Sequence, residues 1–110
     1  MGNTTTNPAN AIPVWIAPAP GSQGKNITTA TNTQVKTGSG VFLGMTVNTA
    51  HAGATATVYD GTDNTGVLLG TFALTSAGPI TEAAGGLPFT TGLFVVTAGG
   101  TPADVTIQYI

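Results

Sequence analysis

From about residue 26 to the end, the chain repeats one cadence. Short runs rich in Val, Thr, Phe and Ile alternate with clusters of Gly, Asn, Asp, Ser and Pro. β-Branched and aromatic residues suit a pleated, half-buried surface, and Gly, Asn and Asp supply the backbone angles of tight turns. No window carries a convincing 3.6-residue period, so helix is expected nowhere. The runs read as strands are 27–36, 41–48, 54–60, 67–74, 93–98 and 103–109. In 41–48, Val41, Leu43, Met45 and Val47 are expected on one face, and Phe42, Gly44, Thr46 and Asn48 on the other. In 54–60, Ala54, Ala56 and Val58 oppose Thr55, Thr57 and Tyr59; in 103–109, Val105, Ile107 and Tyr109 oppose Asp104, Thr106 and Gln108. The runs 67–74 and 93–98 are apolar on both faces. For 67–74 that suggests a central strand, with Gly70 marking a bulge or a close backbone approach. Turn signals fall at 37–40, 51–53, 61–66, 76–79, 84–86 and 99–102. Six to seven short strands at this spacing predict an all-β, antiparallel β-sandwich, jelly-roll or immunoglobulin-like.

The start of the chain reads differently. Residues 1–25 hold Pro8, Pro13, Pro18 and Pro20 and end in a Gly/Ser stretch. Proline fixes φ and removes a donor, so this segment is expected as an extended N-terminal arm, with the sandwich domain at 26–110. Ile12, Val14, Trp15 and Ile16 are too apolar to be left in water. They are the expected anchor of the arm, either across its own domain or onto a neighbouring subunit. Trp15 carries the largest apolar area of the four.

Charge narrows the function. Only 5% of the 110 residues are charged, against about 25% in an ordinary globular domain. The charged residues are Lys25, Lys36, Asp60, Asp63, Glu82 and Asp104, with no arginine. Monomers rely on scattered charge for solubility, whereas buried interfaces are depleted of it. A surface this neutral is expected to face other protein. Two lysines cannot release the counterions of a phosphate backbone, so nucleic acid is excluded as a partner, and an anionic membrane surface with it. No run of about 18 apolar residues predicts a membrane-spanning helix, and the N-terminus shows no secretory signal pattern. Without cysteine there is no disulfide and no thiolate chemistry.

No catalytic, cofactor or metal site is expected. Asp60-Gly-Thr-Asp63-Asn64-Thr-Gly66 has two carboxylates where calcium wants six to eight oxygens, and reads as an Asx-rich hairpin turn. His51 sits in a turn with no nucleophile-elbow serine to activate. The four acids do not pair in sequence as glycoside hydrolysis would need. Asn3-Thr-Thr and Asn26-Ile-Thr28 match the glycosylation sequon, and Met1-Gly2 with Thr6 matches the myristoylation pattern; all are short and frequent by chance. The glycines form no phosphate-binding loop.

TGSGVFLGMTVNTA (37–50), ATATVYDGTDNTGVLLGTFAL (54–74) and GLPFTTGLFVVTAGGTPADVTIQY (86–109) share a further pattern. A Thr/Gly-rich strand leads to a Tyr-Asp turn and an apolar strand, and a final hairpin feeds the last strand. In this the segment from about Thr31 to Ile110 resembles small virion structural proteins of tailed bacteriophages. The resemblance covers about 80 of the 110 positions. It implies an all-β, weakly charged protein that decorates or cements the capsid, or forms part of a tail, baseplate or fibre, often as a trimer. It carries over no functional residue. The expectation is therefore a non-enzymatic homo-oligomer on the capsid surface of a virion, bound to the major capsid protein or other virion subunits. A carbohydrate-binding adhesive module is the alternative from another class.

Overall fold

The computed structural model describes residues 21–81 and 86–110. Nine strands form among them: β1 (Gln23–Ile27), β2 (Asn32–Thr37), β3 (Gly40–Thr49), β4 (Thr55–Asp60), β5 (Val67–Ala73), β6 (Gly78–Thr81), β7 (Leu87–Phe89), β8 (Gly92–Ala98) and β9 (Asp104–Tyr109). The described residues contain no helix. Every pairing is antiparallel.

The pairings are nested. β4 pairs with β5, β3 with β6 and β7, β2 with β8, and β1 with β9. Successive pairs alternate between two sheets, which β9–β3 and β8–β4 contacts then complete. Sheet A has the order β1-β9-β3-β6, with β7 beside β6 along β3; sheet B has the order β2-β8-β4-β5. The two sheets pack face to face as a β-sandwich.

The inner faces make one core. Phe42, Met45, Val47, Val105 and Ile107 from sheet A meet Ala56, Val58, Leu93 and Val95 from sheet B, all at most 1% exposed. Each such large side chain contributes about 1.5–3 kcal/mol of burial. Phe42 joins the layers, its ring 6.0 Å from that of Phe72 on β5 and tilted by 58°. Thr97 is buried with them and fully engaged: its hydroxyl donates to Thr29 O at 2.6 Å and accepts from Thr31 N at 3.0 Å. One side chain thus fixes the β1–β2 connection without leaving a buried polar group unpaired.

The alternation in β4 and β9 is as the sequence indicates: Ala54, Ala56, Val58, Val105, Ile107 and Tyr109 face inward. Three other expectations need correction. The run 27–36 is not one strand, since β1 and β2 flank a turn, and β1 begins at Gln23 inside the stretch assigned to the arm. In β3 the inward set is Phe42, Met45 and Val47. A bulge against β9 makes Leu43 an extra residue and reverses the parity, with Gly44 at φ 136° absorbing the distortion. And β5 is not central: it is the edge of sheet B, with Val67 68% and Leu68 57% exposed. Its bulge lies at Leu69, beside Gly70. β6 and β7 escaped the sequence reading because Pro79 and Pro88 interrupt them.

Candidate interaction surface

The pairing register decides what each sheet shows to the outside, because directly opposed residues share a face. On sheet B one row runs Gln34–Phe94–Tyr59–Leu68 across β2, β8, β4 and β5. The next row is Asn32–Val96–Thr57–Thr71, and the third is Ala98–Thr55–Ala73. None of these side chains is charged at neutral pH. Gln34 is occupied with its own backbone surroundings, its Nε2 donating to Lys36 O at 2.7 Å and to Gly61 O and Leu93 O at 3.2 Å. Phe94, only 8% exposed, is covered on this face.

Sheet A differs. Its outer face centres on Asp104, whose Oδ1 accepts from Asn26 Nδ2 at 2.6 Å and Asn48 Nδ2 at 3.1 Å. Thr106 Oγ1 accepts from the same two amides at 3.3 and 3.0 Å. Three strands are laced together by groups that satisfy one another. The amide of the Asn26 sequon is thereby committed to the lace.

Two of the carboxylates, Asp60 and Asp63, hold turns. Asp60, at the end of β4, receives Thr90 N at 3.0 Å, Thr91 N at 2.9 Å and Gly92 N at 3.3 Å on its two carboxylate oxygens. The N–H groups of Thr90 and Thr91, with Gly92, favour the ionised form and hold its carboxyl below the usual range. Glycine is required at 92, because a Cβ there would lie 2.8 Å from both Gly61 O and Lys36 O. Asp63 caps its own turn as an Asx residue: it accepts from the Thr65 hydroxyl and from Thr65 N at 2.9 Å, and these bonds lower its pKa. The hairpin reading of residues 61–66 holds. His51 lies in the β3–β4 turn, with its backbone tied to Leu74 and Ala54. Among the described residues no three of His, Asp or Glu gather as metal ligands would.

Ile12, Val14, Trp15 and Ile16, the expected arm anchor, lie outside the described residues, as does Glu82. What sequence reasoning missed is the asymmetry of the two outer faces. Its signal was present in the outward parity of β4 and β9: Thr55, Thr57 and Tyr59 against Asp104, Thr106 and Gln108. Only the register shows that Phe94, Val96 and Leu68 extend the first set.

No protein-family model, no curated protein and no solved structure matches this chain.

Proposed function

We propose that the protein is a virion structural component of the tailed-phage type, a jelly-roll that binds and stabilises the outer surface of the capsid as a homo-oligomer, with a trimer favoured. The observation that carries this reading is the outer face of sheet B, free of charge in a chain that has few charges anywhere. Such a face meets protein at little desolvation cost, since Thr, Ala and Val give up few bonds to water. The nested strand order supports the jelly-roll reading, as an eight-strand antiparallel hairpin folded over on itself gives this arrangement when β6 and β7 count as one interrupted strand. An immunoglobulin-like sandwich would pair its first strand with its second, whereas β1 pairs with β9.

The mechanism is burial without chemistry. Ordinary interface affinities multiply along a lattice because each copy is held by several neighbours. The test is a density map of the native particle with a copy-number measurement. Hundreds of copies on the shell are expected. A handful would move the protein to the tail, baseplate or a fibre. A monomer at high concentration with no affinity for capsids would overturn the assembly reading, and glycan-array binding lost with Tyr59→Ala would replace it with the carbohydrate-binding one.

A further inference from the structure

We propose that β5 pairs edge to edge with β5 of a second copy, antiparallel about a two-fold axis, with Thr71 opposite its own counterpart. The contact joins two four-stranded sheets into one of eight strands. It goes beyond the virion reading and does not rest on it.

The sandwich has four edges among the described residues, and three are guarded against strand addition. β1 carries Lys25, and β2 carries Lys36 and a bulge at Val35. The β6–β7 edge is split and carries Pro79 and Pro88, which lack an N–H. β5, Val-Leu-Leu-Gly-Thr-Phe-Ala, has neither charge nor proline. Among the described residues it pairs on one side only, and it holds the exposed large hydrophobics, Val67 and Leu68.

The backbone bonds show which groups of β5 are open. Leu74 N donates to Ala54 O at 2.8 Å, one step beyond the Thr55–Ala73 pair. Bonded and non-bonded pairs alternate in an antiparallel ladder, so Phe72 and Gly70 spend their N–H and C=O on Ala56 and Val58. On the far side of β4, Gly61 N donates to Gly92 O at 3.0 Å. The same alternation then gives Thr55, Thr57 and Tyr59 to β8. Thr71 and Ala73 therefore turn their N–H and C=O away from β4. Their side chains, opposite Thr57 and Thr55, lie on the outer face.

A second β5 is the strand this edge fits. Across a two-fold axis at Thr71, each strand offers the open N–H and C=O of residue 71 to the other. The bulge falls into place in the same register. Ala73 of one copy faces Leu68 and Leu69 of the other, as Tyr59 does on β4, so the parity of the faces is kept. On the outer face Leu68 meets the small Ala73. On the inner face Phe72 meets Gly70, which has no side chain. A Cβ on Gly70 would lie 2.9 Å from the ring of its own Phe72, so that place is kept clear. Charge agrees. A two-fold axis brings each strand against its own copy, and like charges directly opposite are destabilising. β5 is the edge that combines no charge with a full set of N–H donors. The contact closes on two copies and leaves the trimer proposed above to a different surface. An edge pair buries less than the about 800 Å² per partner of a standard interface, so it is expected to form and part with concentration.

The chain has no cysteine, so one introduced thiol reports one contact. Full-length Thr71→Cys, oxidised mildly without capsids, is expected to give a non-reducing band at twice the 10.8 kDa chain mass. Thr101→Cys, in the exposed β8–β9 connection, is the collision control and is expected to give far less. Thr71→Lys and Thr71→Glu, each folded by circular dichroism, should lose the rise of scattered mass with concentration that wild type shows. Mixed one to one, they should regain it, because opposite charges then face each other across the axis. No band from Thr71→Cys, an equal band from Thr101→Cys, or a mixture no heavier than its parts overturns the proposal. A wild type that stays monomeric at every concentration does the same. Whether the protein decorates capsids is read separately, from the particle map, and none of these results touches it.

Discussion

The two sheets share one core and differ on their outsides. Sheet A closes its polar groups on itself: Asp104 and Thr106 on β9 are bonded from both sides by Asn26 and Asn48. Sheet B presents Thr, Ala, Val and an aromatic row that ends in exposed Leu68. A face whose groups bond to one another has little to offer a partner. A face without charge loses little by meeting one. The contrast teaches that sparse charge in this chain is not evenly spread: Asp104 is placed where it ties strands together, and the sheet B face is kept clear.

The largest effect is expected where the sheets join. Phe42→Ala removes the ring that meets Phe72 and should cost about 3–5 kcal/mol, read as a lower urea midpoint by circular dichroism. An intact midpoint would mean the two layers are less interdependent than their shared core implies. Next comes a charge set on each face. If the sheet B face binds capsids as proposed, Thr57→Lys should weaken that binding by about 100-fold, because a buried unpaired ammonium costs several kcal/mol. Asn48→Lys on sheet A should leave binding within about twofold. Equal losses in a co-sedimentation assay would erase the distinction between the faces.

Smaller effects probe the carboxylates. Asp60→Ala strands three backbone donors of the 90–92 turn and should cost about 1–2 kcal/mol. The folded carboxyl titrates below its unfolded value, so its contribution is complete above the ordinary range near pH 4. It is lost as pH falls through the depressed value. Wild type should therefore lose stability below about pH 4 more steeply than Asp60→Asn; parallel acid titrations of the two would contradict the assignment. Asp104→Ala, on the exposed lace of sheet A, should cost only about 0.5 kcal/mol, measured by thermal melting.

The strand content and most turns were legible because alternation and Gly/Asn clusters are local properties. β4 and β9 could be read to the face. β3 could not, since a bulge is a property of the pair: nothing in Val41–Asn48 announces that β9 will skip Leu43. Nor could β5. A strand apolar on both sides is ordinarily buried on both sides, as β8 is, with Leu93, Val95 and Phe94 all covered. In β5 the same composition lies at an edge, and only the order of the sheet separates the two cases. The expected arm anchor lies in residues the structure does not describe, so the sequence alone speaks for it.

Nested pairing also orders events in time. β4 and β5 sit on either side of one short turn and can close as a hairpin soon after both leave the ribosome, in microseconds. β1 is made first among the described strands and pairs last, because Gln23 must wait for Tyr109, 86 residues downstream. Throughout synthesis the place of β9 stands empty, and β1 drifts as an unpaired strand of the kind that misassembles. Five residues long, with a glycine and a lysine at its middle, it is poorly made to stick to anything while it waits.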